Sequence, residues 1–183
     1  MINSTGQQGI VLFLTLTILL LMTVSGVASI RIAMMQEHLS RNYRDVSMAF
    51  QSAESAILEA ERFLEAAEDF NNFPEEGESP ECFNGLCNSR DGTERFSTVD
   101  WSQGSDDYIP AAVTASDLGT ALGPGYVIEH VARVSSDQGS LNITNVGEEG
   151  FSGYVCIFRI TARGSGGTDQ SHAMIQVMYG RRC

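Results

Sequence analysis

Twenty-one consecutive residues, Ile10 to Ile30 (IVLFLTLTILLLMTVSGVASI), carry no charge. At about 1.5 Å of rise per residue this run spans about 30 Å as a helix, the thickness of a bilayer's hydrocarbon core. Fourteen of its positions are Ile, Leu, Val, Phe or Met, and their transfer into lipid outweighs the small penalties of the scattered Thr and Ser. Those hydroxyls are expected to bond back to the preceding helical turn. A core helix of a globular protein seldom runs this long without a charge. A cleaved secretory signal fits poorly, because MINSTGQQG has no basic residue, the run is too long and no A-x-A site follows. The segment reads as a retained membrane span.

The helix does not stop at the end of the span. From Val27 to Phe73 there is neither Gly nor Pro, so nothing breaks the backbone. Met35, Leu39, Val46, Ala49, Phe50, Ala53, Ala56, Ile57, Ala60, Phe63, Leu64 and Ala67 recur at helical spacing, with Arg44, Ser47, Gln51, Ser55, Glu59 and Arg62 opposite. This is one amphipathic stripe of about 3.6-residue period. Glu59 and Arg62 read as part of a solvated face. Asn71, Asn72 and Phe73-Pro74 mark the stop, since the ring disfavours a helical residue before it. The whole makes a helix of about 60 residues and about 90 Å. Its first half needs lipid or sister helices, and its second half needs a small domain against one face. Such a build suggests a filament subunit.

The remainder reads as that domain. Pro74 to Gly125 is rich in Gly, Ser, Asp and Pro and reads as ordered loop. Tyr126–Val134, Tyr154–Ala162 and Ala173–Tyr179 are β-branched and aromatic, with turn clusters between them. Arg163-Gly164-Ser165-Gly166-Gly167 is expected to join the last two as a hairpin, its glycines supplying positive φ. The expected class is α+β: one long N-terminal helix packed on a small antiparallel sheet. Residues 1–9 precede the helix, 10–30 are expected to form the membrane or filament-core half-helix, 31–72 the amphipathic half, and 73–183 the globular loop and sheet domain.

The chain has 11 Lys+Arg against 23 Asp+Glu, a formal net charge of -12, and every one of its cations is Arg. Nothing in it forms the basic stripe that phosphate neutralisation requires, so nucleic acid is excluded as a partner. Fifteen of the acids fall between Glu54 and Asp107 and read as a solvated surface. Cys82, Cys87, Cys156 and Cys183 allow three pairings. Proximity favours Cys82–Cys87 with Cys156–Cys183, worth about 2 and about 3.5 kcal/mol in the chain-entropy model. Four cysteines in an acidic domain point to an oxidising compartment. Arg31, Arg41 and Arg44 after the span point the other way by the positive-inside count; Glu37 and Asp45 accompany them.

No chemistry stands out, and no cofactor or catalytic residue is expected. Ser152 and Ser165 lie near glycines without making a G-x-S-x-G elbow. There is no Walker loop and no G-x-G-x-x-G before a helix. His38, His130 and His172 have no ligand spacing with the loose C-x4-C pair, and Asp106-Asp107 lacks the spacing of a calcium loop. A single-pass periplasmic sensor or binding module stays open beside the filament subunit.

Gln7-Gln8-Gly9-Ile10-Val11-Leu12-Phe13-Leu14, the apolar span, Arg31, Met35-Gln36-Glu37, Arg44-Asp45 and Ala49-Phe50-Gln51-Ser52-Ala53-Glu54-Ser55-Ala56 together resemble the N-terminal region of PilX-type minor pilins of the type IV pilus. Arg159–Gly167 and Gln176 to Tyr179 look like that family's last hairpin. The resemblance covers about residues 7–67 and 154–180. It implies a prepilin leader of residues 1–9, cut by prepilin peptidase at Gly9–Ile10 with Gly6 a poorer site, and N-methylation of Ile10. Most pilins carry Glu at the fifth position of the mature chain; counted from Ile10 that position is Leu14.

The family's acid is thought to meet the N-terminal amine of the subunit ahead in the filament. Its absence implies a place at the pilus tip, in a priming complex with other minor pilins and a PilY-type adhesin. The implied partners are those proteins, the major pilin and prepilin peptidase. The implied location is the inner membrane, single pass with the C-terminal domain in the periplasm, and then the pilus. The K-type pseudopilin of type II secretion shares the missing acid, but usually carries a larger inserted domain and calcium sites.

Overall fold

The computed structural model of the chain describes residues 8–75, 82–135 and 154–183. Helix α1 runs from Gln8 to Ala66, 59 residues without a break. The chain divides into two units, residues 1–44 and 45–183.

In the first unit every described side chain is exposed or half-exposed. The large apolar ones, from Ile10 through Leu39, are open on all sides of the helix. The hydroxyls of Thr15, Thr17 and Thr23 donate to the carbonyls of Leu12, Leu14 and Leu20, and Ser29 donates to Ser25, all at 2.8–2.9 Å. These four hydroxyls are thereby satisfied within the helix, and the surface offered outward by residues 10–30 is mostly hydrocarbon. This helix is long and apolar enough to cross a membrane.

The second unit is a head built on the C-terminal part of α1. Ala49, Ser52, Ala53, Ala56, Ile57, Ala60 and Leu64 are buried. Five of these seven are Ala or Ser, small enough to bring a sheet close to the helix axis. Val46 and Phe50, which share the apolar period, flank that contact and remain about half exposed.

Among the described residues the sheet has six strands: β1 (Cys82–Phe83), β2 (Leu86–Asn88), β3 (Ile109–Pro110), β4 (Gly125–Ser135), β5 (Tyr154–Ser165) and β6 (His172–Arg182). Its order is β1-β2-β4-β5-β6, with β3 on β4 beyond the end of β2. The three long strands are antiparallel, in a register that puts Ile128 beside Ile160 and Ile160 beside Val177. Tyr126, Ile128, Phe158, Ile160 and Ala162 form the core with Ala56, Ile57, Ala60 and Leu64 of α1.

Three features depart from the sequence expectations. The sheet is mixed, because β2 runs parallel to β4. The segment read as loop contains β1–β3, a 3-10 turn at Phe96–Thr98 and the one-turn helix α2 (Ala115–Leu118), closed by a Thr114/Asp117 capping box and a left-handed Gly119. And α1 ends at Ala66 rather than at residue 72.

The early stop has a physical cause. The last turn has no basic residue, and Glu65, Glu68 and Asp69 crowd the negative end of the helix dipole. Arg181 of β6 reaches over and donates to the Leu64 carbonyl, one of the orphan acceptors of the final turn. Its guanidinium also lies 5.5 Å from the centre of the Phe70 ring. Phe70 and Phe73 then fold back onto Phe158 at 4.8 and 5.3 Å between centroids. Packing both rings against Phe158, with Phe73 buried and Phe70 partly so, outweighs one more turn of helix.

Candidate assembly surface

The residues singled out from the sequence fall into two groups. Gly9, Ile10 and Leu14 lie in the first turns of the described helix, in the first unit. Ile10 is 72% and Leu14 57% exposed. A Cβ at Gly9 would meet nothing within 4 Å. The Leu14 carbonyl accepts from Thr17, and its side chain offers only hydrocarbon. Gly6 and most of the expected leader, Met1 to Gln7, lie outside the described residues, as does Ser152.

The cysteines belong to the head. Cys82 pairs with Cys87 across the β1–β2 hairpin, whose two-residue turn Asn84-Gly85 has φ of 49° and 73°. A Cβ on Gly85 would also lie 2.8 Å from the Ile109 nitrogen, so the position needs glycine twice over. Cys156 of β5 pairs with Cys183, one residue past β6. That bond ties down the end of the strand whose Arg181 closes α1.

The RGSGG segment serves the head in a different way from the one expected. None of its glycines has positive φ. Gly164 and Ser165 are still in β5, and a Cβ on Gly164 would lie 2.5 Å from the Ala49 carbonyl oxygen and inside the backbone at Ala53. On Gly166 it would lie 2.5 Å from the carbonyl oxygen of Asp45. These glycines are the points where sheet backbone touches helix backbone. Asp45 completes the clasp: Thr168 donates to its carboxylate from Oγ1 (2.6 Å) and from the backbone nitrogen (3.2 Å). The Thr168 hydroxyl, chiefly, holds the Asp45 carboxyl below its ordinary range. Glu59, read as part of a solvated face, accepts the Ala112 N–H on both carboxylate oxygens (2.8 and 3.0 Å) and so ties the β3–α2 connection to α1.

On the sheet face away from α1, Glu129 is wholly buried. One carboxylate oxygen accepts from Ser89 Oγ (2.9 Å) and the Arg95 N–H (2.6 Å); the other lies 3.5 Å from Arg159 Nε. Arg159 also pairs with Glu94 at 3.1 Å. This group binds the 89–98 segment to the sheet. His130, on the helix side, stacks on Phe158 at 5.1 Å, and burial pulls its pKa down, so it sits neutral. It lines a depression of the head of about 840 Å³, together with Phe73, Arg90, Arg133 and the Cys156–Cys183 bridge. Among the residues that line it there is no Ser or Thr, and both cysteines are bonded to each other. Among the described residues no group of three or more His, Cys, Asp and Glu is placed to hold a metal.

A helix that is open hydrocarbon over its first half and carries a sheet on small residues over its second is the build of a pilin-like fibre subunit. Residues 8–58 match the PilX N-terminal family, and residues 83–181 match the C-terminal family of the type IV pilus assembly protein PilX. The chain belongs to the PilX family of type IV pilus assembly proteins. The second match runs through the middle of the head, where the sequence alone showed no resemblance. No curated protein and no solved structure matches the chain.

Proposed function

We propose that this chain is a non-enzymatic minor pilin that helps to start type IV pilus assembly from a priming complex at the fibre tip, beside other minor pilins and a PilY-type adhesin. Leu14 carries the reading. Prepilin peptidase cleaves at Gly9–Ile10, Ile10 becomes the methylated first residue, and the fifth position is then hydrocarbon. An ionised carboxylate among packed apolar helices is costly unless a cation meets it. A subunit that follows another has the amine of the one ahead as that cation. A subunit with none ahead is better served by Leu. The head sits in the periplasm before assembly, a placement supported by its two disulfides.

Mass spectrometry of the membrane-extracted protein tests the processing: methyl-isoleucine at residue 10 is expected, and an intact Met1 refutes it. The tip position is tested by Leu14→Glu. This variant is expected to lower the number of pili or to move the subunit into the shaft. Unchanged pilus number with the subunit still at the tip refutes that placement.

A further inference from the structure

We propose that the open edge of β6 is a docking site for an extended, acidic segment of a different polypeptide, which adds to the sheet as a further strand. This goes beyond the role argued from Leu14 and does not depend on it.

The first observation is the edge itself. β6 ends the strand order, and among the described residues nothing pairs with its outer side. It is 11 residues long, pairs with β5 in unbroken register from His172 to Arg182, and contains neither Pro nor Lys. Edge strands of proteins that stay alone are kept short, bulged, charged or covered, because a bare row of N–H and C=O groups recruits other chains. The opposite edge of this sheet, β1, follows that rule with two residues. β6 does not.

The second observation is that the core layer stops one strand short. Phe158 and Ile160 of β5 are fully buried, whereas their neighbours Tyr179 and Val177 of β6, with Ile175, pack on the same core and stay partly open. On the other face Met174 and Met178 are 46% and 61% exposed. One added strand would cover both rows, by main-chain hydrogen bonds along the edge and by its alternate side chains on each face.

The third is charge. In a chain of formal charge -12, β5 and β6 hold Arg159, Arg163, Arg181 and Arg182 and no acid. Arg159 is engaged by Glu94 and Glu129, and Arg181 by the Leu64 carbonyl. Arg182 lies at one end of the edge, and Arg163, beside Met174, lies near the other, both on the face away from α1, while on the helix face Glu65 accepts the Tyr179 hydroxyl at 3.2 Å. The matching strand is therefore about nine to eleven residues long, apolar at its centre and acidic towards both ends. A second copy is a poor match, since it would bring the same cationic strand or a two-residue β1.

The test uses the full chain in detergent micelles and three synthetic 11-residue peptides of alternating Val and Thr. One carries Glu near both ends, one carries Lys there, and one is the acidic peptide N-methylated at alternate amides. Binding and residue-resolved hydrogen exchange are measured for each. The acidic peptide is expected to slow exchange across 172–182 and to bind at least about tenfold tighter than the lysine peptide. The methylated peptide is expected to give no protection, and Arg182→Glu, at an exposed position, to reverse the charge preference with the circular dichroism unchanged. No slowing in β6, equal binding of the two charged peptides, or protection of β6 that appears without peptide as the protein is concentrated would each overturn the proposal.

Discussion

Glu129 shows how a single residue can bind two layers. It is fully buried, and Arg159 beside it is nearly so. Removing one member of such a pair strands the other in low dielectric, so Glu129→Ala is expected to cost about 3–5 kcal/mol. Glu94, whose side chain is 59% exposed, is expected to cost under about 1 kcal/mol when replaced by Ala. Urea denaturation of the two variants reads the difference directly, and equal costs would mean that Glu129 does not hold the 89–98 segment. Gly164 works by absence: Gly164→Ala puts a methyl into the Ala49–Ala53 backbone, and a loss of about 1–3 kcal/mol is expected from overpacking, read as a lower thermal midpoint. Asp45 adds a pH dependence. Its carboxyl is held below the ordinary range by Thr168, so the clasp is at full strength above the unfolded pKa of Asp. It weakens as pH falls through the lower folded value. Exchange at the Thr168 amide is expected to lose protection only below about pH 4, and not in Asp45→Asn, whose contact no longer titrates.

At the scale of elements, the parts legible in the sequence are those whose signal is periodic. The uncharged run and the Ala-rich stripe declare α1, and three β-branched runs declare β4, β5 and β6, each within a few residues of its observed ends. What escaped depends on groups far apart along the chain. The end of α1 is set by Arg181, 117 residues away from Leu64, and Phe73-Pro74 marks only the last place a helix could have reached. The burial of Glu129 depends on a loop 34 to 40 residues upstream, so the acid within YVIEHVARV carried no sign of its setting. The β1–β2 hairpin was within reach, since Asn84-Gly85 between two cysteines is a two-residue turn signal. The RGSGG segment, expected as the connection, gives its first three residues to β5 and only Gly166-Gly167 to the turn, and Gly164 and Gly166 answer to the helix backbone rather than to φ. If Arg181 caps α1, Arg181→Ala should cost about 1.5–3 kcal/mol, the range for a hydrogen bond from a charged donor. It should also speed exchange in the last turn of α1 more than in β4. Uniform loosening of the whole head would show the arginine to be general packing instead.

At the scale of the molecule, one helix serves two solvents, and the boundary between them is chemical. Through Arg44 the described residues bury no side chain; from Asp45 onward α1 supplies the clasp at Thr168, and from Ala49 the buried stripe. The hydrocarbon of residues 10–39 gains nothing from the head and is stabilised only by lipid or by other helices. The stability of the head therefore resides within residues 45–183 and their two disulfides. A fragment beginning at Asp45 is expected to stay soluble, to fold without detergent, and to unfold within a few degrees of the full chain, a difference below about 1 kcal/mol for a domain of this size. In the same fragment Cys183→Ser releases the strand end that carries Arg181, and about 3.5 kcal/mol should be lost by the loop-entropy argument. A fragment that melts far below the full chain would mean that residues before Asp45 belong to the folding unit.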